Sequence, residues 1–480
     1  MKKMTAMMMA SMMIMSLVLT GCGTTAAETA AQITTQTATE TVAETEVNET
    51  ITNSVDEEHA ITADGETASY SNIAVEKTGD AEGDEADFYG ANAAIFATNG
   101  ATLDLSEITV STDGTHANGV FSYGEGTTVN ISDSVIETTG NCSGGLMTTG
   151  GGTVNVTGGS YTTDGTGSPV IYSTADITVS DAQMESTASQ GVVVEGHNSV
   201  TLNNVNLTAS NTTKNSDKSE WYQAVMIYQS MSGDAAEGLA SFAMNGGTLT
   251  NLNGDIFFVN NTTATIDLTG AAIVNEDEDG VFLRAAAAGW GSEGSNGGHV
   301  TMTAAQQTID GDMIVDEVSS LNLYLTESSS YTGAINTDGA AGDVYVEIED
   351  GSTWSLTGDS YITSLTCGAG SINLNGYKLY VNGEEYVEGS SSEGEAIVVE
   401  TSSSNSNHEG APGTDGEGGP GFGSDGNGGP GSDGNGGPGS DGSTPPAKPD
   451  GDSSGHGPGS DGSEPPAMPD GSEPPAKPGE

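Results

Sequence analysis

The amino-acid sequence predicts an all-β protein: a single-stranded, right-handed parallel β-helix (a solenoid) of about eleven turns, flanked by disordered segments. Three observations lead to this fold class. Short stretches of alternating apolar and polar residues recur at short, nearly regular intervals, as strands with one buried face do. Asn-Gly, Asp-Gly and Gly-Gly pairs separate them. Most of these intervals are too short to hold two strands and a crossover helix.

Residues 1–22 have the features of a bacterial lipoprotein signal peptide. Lys2 and Lys3 precede a Met-rich apolar run that ends in "LTGC", and this run is too short for a membrane-spanning helix. The motif resembles a lipobox, which implies that Cys22 is lipidated. We therefore expect an exported protein, lipid-anchored to the outer face of the cytoplasmic membrane at the cell surface.

The charge of the chain excludes some partners. Without residues 1–22, the chain keeps 7 basic residues against 68 acidic ones, a formal charge of −61. Such a surface repels nucleic acid and anionic lipid headgroups. We therefore expect no nucleic-acid partner, and membrane contact through the lipid anchor only.

Two segments of biased composition flank the repeats. Residues 23–60 are rich in Thr, Ala and Glu and contain too few large apolar side chains to offset the entropy of folding; they are predicted to be a tether. Residues 391–480 are rich in Gly, Pro, Ser and Asp, with "GSDGNGGP" present twice. They predict a disordered, hydrated tail.

Residues 61–390 are predicted to be the β-helix domain. "DITVSDAQM" and "SVTLNNVNL" show one pattern in two successive repeats, so Ile177 should stack on Val200 and Met184 on Leu207. Apolar pairs of this kind are Leu103/Leu105, Val129/Ile131, Val154/Val156, Ile177/Val179, Val200/Leu202, Phe242/Met244, Ile266/Leu268, Val300/Met302, Leu321/Leu323, Val344/Val346 and Ile372/Leu374. A second predicted inward column contains Ile95, Val120, Met147, Val170, Val193, Val225, Phe257 and Phe282.

Two intervals between apolar pairs, residues 200–242 and 266–300, are clearly longer than the repeat. Extra residues of a solenoid form loops, which often carry the binding face. These loops contain Trp221, Tyr222 and Trp290, whose flat rings are candidates for stacking on sugars. The alternative is that each tryptophan folds back and closes its own loop over the rod.

Two acidic segments are candidates for calcium binding, because clustered carboxylates supply the oxygen ligands that this ion prefers. The candidate ligands are Asp80, Glu82, Asp84, Asp87, Glu276, Asp277 and Asp279. Neither segment has EF-hand or nonapeptide-repeat spacing, so a solvated acidic surface is the alternative. No other cofactor is indicated.

The residues do not form a recognisable catalytic set. The only arginine is Arg284, and Lys214 and Lys218 are the nearest candidates to assist it in lyase chemistry. His197 lies in "EGHNS" without the carboxylate partners of a β-helix hydrolase, and a turn residue is the simpler interpretation. Cys142 and Cys367 are far apart in sequence and are expected to be free thiols with a packing role.

The lipobox, the tether, repeats such as "ATLDLSEITVSTDGTHANGV" and the Gly/Pro/Asp tail resemble adhesin-like, carbohydrate-binding right-handed parallel β-helix surface lipoproteins of Gram-positive anaerobes. The resemblance covers residues 70–385 and both flanks. It implies a protein that binds a polysaccharide, a cell-surface glycan or another surface through loops of the rod. Two alternatives remain: a calcium-dependent polysaccharide lyase or glycoside hydrolase, and a purely structural envelope spacer.

Overall fold

The computed structural model describes residues 47–399, except residues 213, 215–217, 220, 234, 340 and 341. The predicted signal peptide, the lipidation site at Cys22, most of the tether and nearly all of the tail lie outside the described residues. Everything below concerns the described part of the chain.

The described residues form strands and one short helix, α1 (Asp84–Tyr89). The first strands are β1 (Glu49–Asn53), β2 (Ile61–Asp64), β3 (Thr67–Ser71), β4 (Ile73–Lys77), β5 (Ile95–Thr98), β6 (Thr102–Ser106), β7 (Thr109–Thr112), β8 (Val120–Tyr123), β9 (Thr128–Ser132), β10 (Val135–Thr138), β11 (Leu146–Thr149), β12 (Thr153–Thr157), β13 (Ser160–Thr163), β14 (Ile171–Ser173), β15 (Asp176–Ser180), β16 (Gln183–Ser186), β17 (Val192–Glu195), β18 (Ser199–Asn203) and β19 (Asn206–Ala209). They continue as β20 (Gln223–Tyr228), β21 (Leu239–Asn245), β22 (Thr248–Asn251), β23 (Asp255–Asn260), β24 (Thr262–Thr269), β25 (Ala272–Asn275), β26 (Leu283–Ala285), β27 (Gly298–Ala305), β28 (Thr308–Asp310), β29 (Met313–Val315), β30 (Ser320–Thr326), β31 (Ser330–Thr332), β32 (Asp343–Ile348), β33 (Thr353–Ser355), β34 (Ser360–Ile362), β35 (Ser364–Cys367), β36 (Ile372–Asn373), β37 (Leu379–Val381) and β38 (Glu384–Glu385).

Three long parallel sheets organise these strands, because over most of the chain each strand pairs with the third strand after it. Sheet A runs from β1 to β25 with nine strands, sheet B from β2 to β29 with ten, and sheet C from β3 to β35 with twelve. Two smaller sheets follow, β28-β31-β33-β36 and β34-β37-β38. The all-β prediction is confirmed, and the topology is compatible with a β-helix solenoid. One strand from each of sheets A, B and C is called a rung below.

The interior is a continuous apolar core between the sheets, as the alternating pattern predicts. Ile177 pairs with Val200, and Val179 pairs with Leu202. Met184 pairs with Leu207 one sheet away. These side chains are almost completely buried in one core that continues from Ile61 to Leu379, so the predicted stacking of the two repeats is confirmed.

The predicted register fails at two places towards the C-terminal end. Ile266 pairs with Met302, not with Val300, because the longer strands β24 and β27 shift the pairing by two residues. Val346 pairs with Leu365, whereas Ile372 pairs with Trp354 in the separate four-stranded sheet. A shift of two keeps the same side chains inward, so the core remains apolar although the partner residues differ.

The second predicted inward column is wrong at two of its residues, Met147 and Val193. Val170 and Phe282 do lie in the interior core, but each is one residue before the strand residue that pairs in the column. The residues paired along the inward face of sheet B are instead Ile95, Val120, Leu146, Ile171, Val192, Val225, Phe257 and Leu283. Met147 and Val193 lie on the opposite, outward face, yet both are buried. Sheet B is therefore apolar on both faces, which is why alternation was a poor guide to its register.

Both ends of the folded part extend past the predicted boundaries at residues 61 and 390. At the N-terminal end, β1 pairs with β4 and so adds part of the predicted tether to sheet A. At the C-terminal end, β37 and β38 form an antiparallel hairpin. Beyond it, residues 392–397 cross the outward side of sheet C, where the Asn322 amide and the backbone of Ile397 exchange hydrogen bonds of 3.0 and 2.8 Å.

Candidate functional site

The outward face of sheet B carries a stripe of large apolar residues that the alternating pattern of the sequence does not predict. We call it the outer stripe. Its paired members are Phe96, Phe121, Met147, Tyr172, Val193, Met226 and Phe258. They belong to a hydrophobic cluster separate from the interior core. The signal was present in sequence as unbroken apolar runs such as "VVVE" and "DIFFVN", which indicate strands buried on both faces.

Irregular segments between the strands cover the outer stripe. The segment with α1 places Phe88 beside Tyr172, with ring centroids 6.5 Å apart, and Tyr89 edge-on to Tyr123 at 5.9 Å. Trp221 and Trp290, from the two long insertions, belong to the same hydrophobic cluster. The two long insertions and the α1 segment therefore provide the cover of sheet B.

The predicted ligand-binding aromatic residues pack against the rod. Trp290 is completely buried and lies edge-on to Tyr228, with centroids 5.2 Å apart. Trp221 is half-buried, 5.5 Å from Phe258, and Tyr222 lies under the Lys214 ammonium at 5.7 Å. Trp290 corresponds to the alternative in which the ring closes its own loop.

Arg284 is committed to contacts within the rod. Its Nε donates to Asp255 Oδ2 at 2.6 Å and its Nη2 to Asp255 Oδ1 at 3.3 Å. The guanidinium also lies over the Trp221 ring, 4.7 Å from its centroid. Asp255 is almost fully buried. This paired, stacked geometry is typical of a structural arginine. His197 is exposed in the bend between β17 and β18.

A buried carboxylate is bonded to Tyr228, the ring against which Trp290 packs. Glu195 is fully buried and accepts hydrogen bonds from the hydroxyls of Tyr172 and Tyr228 and from the backbone N–H of Ser230. The Tyr228 bond is 2.6 Å long and the Ser230 bond 3.1 Å. Hydrogen bonds of this kind offset the cost of burying a charge.

Two of the predicted calcium ligands, Asp80 and Asp277, bond to neighbouring loop atoms. The Asp80 carboxylate accepts from the Thr115 N–H at 2.8 Å and from its hydroxyl at 3.1 Å. The Asp277 carboxylate accepts from the N–H groups of Gly254 and Asp279 at 2.6 and 3.0 Å. Glu82, Glu276 and Asp279 are exposed, and the side chain of Asp84 is not described. These bonds are those of turn residues that hold loops together.

Across the described residues, one group brings three possible metal-ligating side chains together: Asp87, His116 and Cys142, with ligand atoms all within 4.8 Å of one another. All three residues are buried. The His116 imidazole Nδ1 is hydrogen-bonded to the Asp87 carboxylate. Asp87 was a predicted calcium ligand, but its neighbours here offer nitrogen and sulfur, which are ligands of transition metals and zinc.

The repeat explains why His116 and Cys142 meet. The loops "TDGTHANG" (112–119) and "TTGNCSGG" (138–145) lie on neighbouring rungs. The His116 N–H donates to Asn141 O at 2.9 Å, and the Cys142 N–H donates to Thr166 O at 2.9 Å. His116 and Cys142 therefore occupy equivalent positions in successive repeats, one loop above the other.

The third member of the group comes from outside the repeat. Asp87 lies on α1, which replaces the tight corner of the preceding rung. Asn118 fixes α1 in place, because its amide donates to Ala86 O at 3.3 Å while its carbonyl accepts from the Gly144 N–H at 2.8 Å. The cluster thus joins α1 to two successive loops.

The thiols differ from reactive cysteines. Burial raises the pKa of the Cys142 thiol far above its ordinary value, and the neighbouring Asp87 charge raises it further. Nucleophilic cysteines need the reverse, a lowered pKa and an accessible sulfur. In the described part of the chain, Cys142 and Cys367 form no disulfide and are both buried, as expected from their separation in sequence.

A different surface is open to solvent away from the C-terminal strands that residues 392–397 cover: the outward face of sheet C, whose side chains are mainly Thr, Ser and Asn. Neighbouring strands present these groups in register. The Asn130 amide donates to Asp104 at 2.8 Å, and the Asn155 amide donates to Asn130 at 3.0 Å. The Asn245 amide likewise donates to Asn203 at 2.9 Å. The result is a polar face with hydroxyls and amides held in rows; we call it the polar face.

In the described part of the chain, no helix is long and apolar enough to cross a membrane. Comparisons with protein-family models, curated protein sequences and solved structures found no match for this chain.

Proposed function

We propose that this protein is an adhesin-like surface lipoprotein whose rod binds an extended polysaccharide along the polar face. In this proposal the sheets form a right-handed parallel β-helix of about eleven turns, the hand that parallel crossover connections almost always take. Cys22 carries the lipid anchor. The observation that supports the binding function best is the in-register row of hydroxyl and amide side chains on sheet C.

Repetition of the polar face suits a repeating ligand. Strands of one sheet lie about 4.8 Å apart, so each rung presents the same kinds of donor and acceptor at a constant step. A polysaccharide also presents hydroxyls at a constant step and can bond to several rungs at once. Weak contacts at each rung then add up to a useful affinity.

The ladder bonds prepare the face for binding. Because Asn130 is held between Asp104 and Asn155, its amide is already oriented before a ligand arrives. Ordered donors and acceptors lose less conformational entropy on binding than mobile ones do.

The negative charge of the chain indicates which class of polysaccharide it can bind. A net charge of −59 for the whole sequence disfavours polyuronates and sulfated glycans. We therefore propose an uncharged polysaccharide as the ligand. Trp290, a candidate for stacking on sugars, is buried. The proposed binding therefore uses hydrogen bonds from the polar face and does not use the Trp290 ring.

The binding test is co-sedimentation of the full-length protein with insoluble uncharged polysaccharides. We expect a Thr178→Arg/Thr201→Arg variant, changed on neighbouring strands of sheet C, to bind at least about tenfold more weakly, a loss of about 1.4 kcal/mol. Thr162→Arg/Thr208→Arg, on the outward side of sheet A, is the matched control and should bind normally. Equal binding by both variants would remove the polar face from the site, and no binding to any uncharged polysaccharide would refute the proposal.

The anchor has its own test. A Cys22→Ala variant should leave the membrane fraction and appear in the soluble or secreted fraction, whereas Cys367→Ala should stay with the membrane. Membrane retention of the Cys22→Ala protein would contradict lipid anchoring at this residue.

A further inference from the structure

We propose that Asp87, His116 and Cys142 form a binding site for a zinc-like transition-metal ion, which fastens α1 to the side of the rod. The site needs no contribution from the polar face, so it is independent of polysaccharide binding.

The ligand set is the first reason. Zn²⁺ in proteins takes cysteine sulfur at about 2.3 Å, histidine nitrogen at about 2.0 to 2.1 Å and carboxylate oxygen at about 2.0 to 2.2 Å, usually in a tetrahedron. Such bond lengths place ligand atoms about 3.2 to 3.8 Å apart. The three ligand atoms here lie within 4.8 Å of one another, so small side-chain movements complete three corners of the tetrahedron. Water can supply the fourth.

The position of the side chains is the second reason. His116 and Cys142 both have left-handed backbone conformations, with φ of 54° and 56°. The equivalent position of the next loop is Gly167, with φ of 64°. Left-handed conformations favour Gly and cost other residues about 1 kcal/mol or more. Two neighbouring loops thus carry metal-ligating side chains at a position where glycine is less strained.

The surroundings are the third reason. A cleft beside the cluster is lined by Glu57, Glu82 and Glu85, together with Ala86, the residue directly before Asp87. All three glutamates are exposed. A carboxylate-lined cleft raises the local concentration of divalent cations and offers an approach to a buried site.

The consequence of metal binding is structural. Asp87 belongs to α1, while His116 and Cys142 belong to two successive loops, so one ion cross-links three segments and adds to the Asn118 hydrogen bonds and the Phe88 packing that already join them. Since α1 covers the N-terminal part of the outer stripe, the ion holds that cover closed.

Cobalt spectroscopy on the full-length protein tests the site. Co²⁺ bound by a thiolate shows a near-ultraviolet sulfur-to-metal charge-transfer absorption, which ions bound only by surface carboxylates lack. After chelator treatment, we expect this band to saturate at one Co²⁺ per chain and to disappear when Zn²⁺ is added. The distinction matters here because so acidic a chain binds many divalent ions weakly.

Variants locate the ligands. Cys142→Ser should abolish the charge-transfer band, and His116→Asn should weaken Co²⁺ binding about 100-fold or more, beyond the 10-fold to 100-fold cost of losing an outer-shell partner. Cys367→Ser, which alters the other buried thiol, is the matched control and should keep the band. No band in the wild-type protein, or a band that persists in Cys142→Ser, would overturn the proposal. The wild-type spectrum decides the question even where a variant fails to fold.

Discussion

The guanidinium of Arg284 contacts two partners. Its Nε donates a 2.6 Å hydrogen bond to the buried carboxylate of Asp255, and its central carbon lies 4.7 Å from the centroid of the Trp221 ring. Asp255 begins β23 and Trp221 belongs to the first long insertion. The single arginine of the chain therefore holds the insertion against sheet B.

We expect Arg284→Ala to lower the free energy of unfolding by about 3–5 kcal/mol, because it leaves the Asp255 carboxylate buried without its partner. Arg284→Lys should recover only part of the loss, since an ammonium cannot reproduce the two-pronged bond. Urea unfolding followed by circular dichroism measures both. Lys378→Ala, which breaks the exposed pair with Glu385, should have no measurable effect. Equal stabilities of the Arg284 variants and the wild type would contradict this role.

Truncation of Trp290 should also be costly. The ring is completely buried and packs edge-on to Tyr228, so Trp290→Ala is expected to lose about 3–5 kcal/mol of unfolding free energy. Trp221→Ala, at a half-buried ring, should lose less. Chemical denaturation of the two variants gives the comparison, and a smaller loss for Trp290 would mean that its loop is open in solution.

Gly90 and Gly100 form a matched pair for backbone strain. Both have left-handed φ, 74° and 77°. A Cβ at Gly90 would lie 2.6 Å from the Phe121 ring, whereas a Cβ at Gly100 meets nothing within 4 Å. We expect Gly100→Ala to cost about 1 kcal/mol from backbone conformation alone, and Gly90→Ala to cost clearly more because α1 must move. Thermal unfolding of both variants tests this, and similar losses would show that α1 adjusts freely.

Acid should weaken the N-terminal end of the rod through His59. Burial lowers the pKa of His59 below its usual 6.5, and the nearby Lys77 charge adds to this, whereas the Ala93 carbonyl and the Glu58 charge act in the opposite direction. Because the folded-state pKa is depressed, the unfolded state binds the proton more readily. The contribution to stability is therefore full above pH 6.5 and is lost as the pH falls through and below that value.

His59→Gln should flatten this pH dependence of unfolding between about pH 7 and pH 5. The His299 pKa is lowered as well, first by burial, so part of the slope should remain in His59→Gln. A slope identical to that of the wild type would remove His59 as a contributor.

The interior of the rod could be predicted from sequence because alternation and repeat length act together. Ile177 on Val200 follows from two alternating strands in successive repeats. The predicted pairing of β24 with β27 is wrong, because these long strands allow a shift of two residues without exposing an apolar side chain. The hydrophobic pattern cannot distinguish the two registers, because a shift of two residues keeps every side chain on the same face.

The cover of sheet B could be predicted only in part. Runs such as "VVVE" show no alternation, and this is itself the sign of a strand with two buried faces. What covers the outward face depends on how long insertions fold back. Repeat length does not specify this, so the positions of Trp290 and α1 could not be obtained from it.

The Asp87–His116–Cys142 cluster could likewise be predicted from sequence only in part. His116 and Cys142 lie at equivalent places in two successive loops, so the repeat interval alone brings them together. Asp87 lies on a helix outside the repeat, so the repeat does not specify its contact with His116; α1 is placed by the Asn118 bond and by Phe88 beside Tyr172.

The cover of sheet B also affects how the rungs unfold. A repeat array whose rungs touch only their neighbours can fray rung by rung from either end. Here α1, inserted before β5, reaches the loop after β10 through the Asp87 cluster and reaches β14 through Phe88 and Tyr172. Opening one of these rungs disturbs the others, so their amide protons should exchange with solvent as a single cooperative unit.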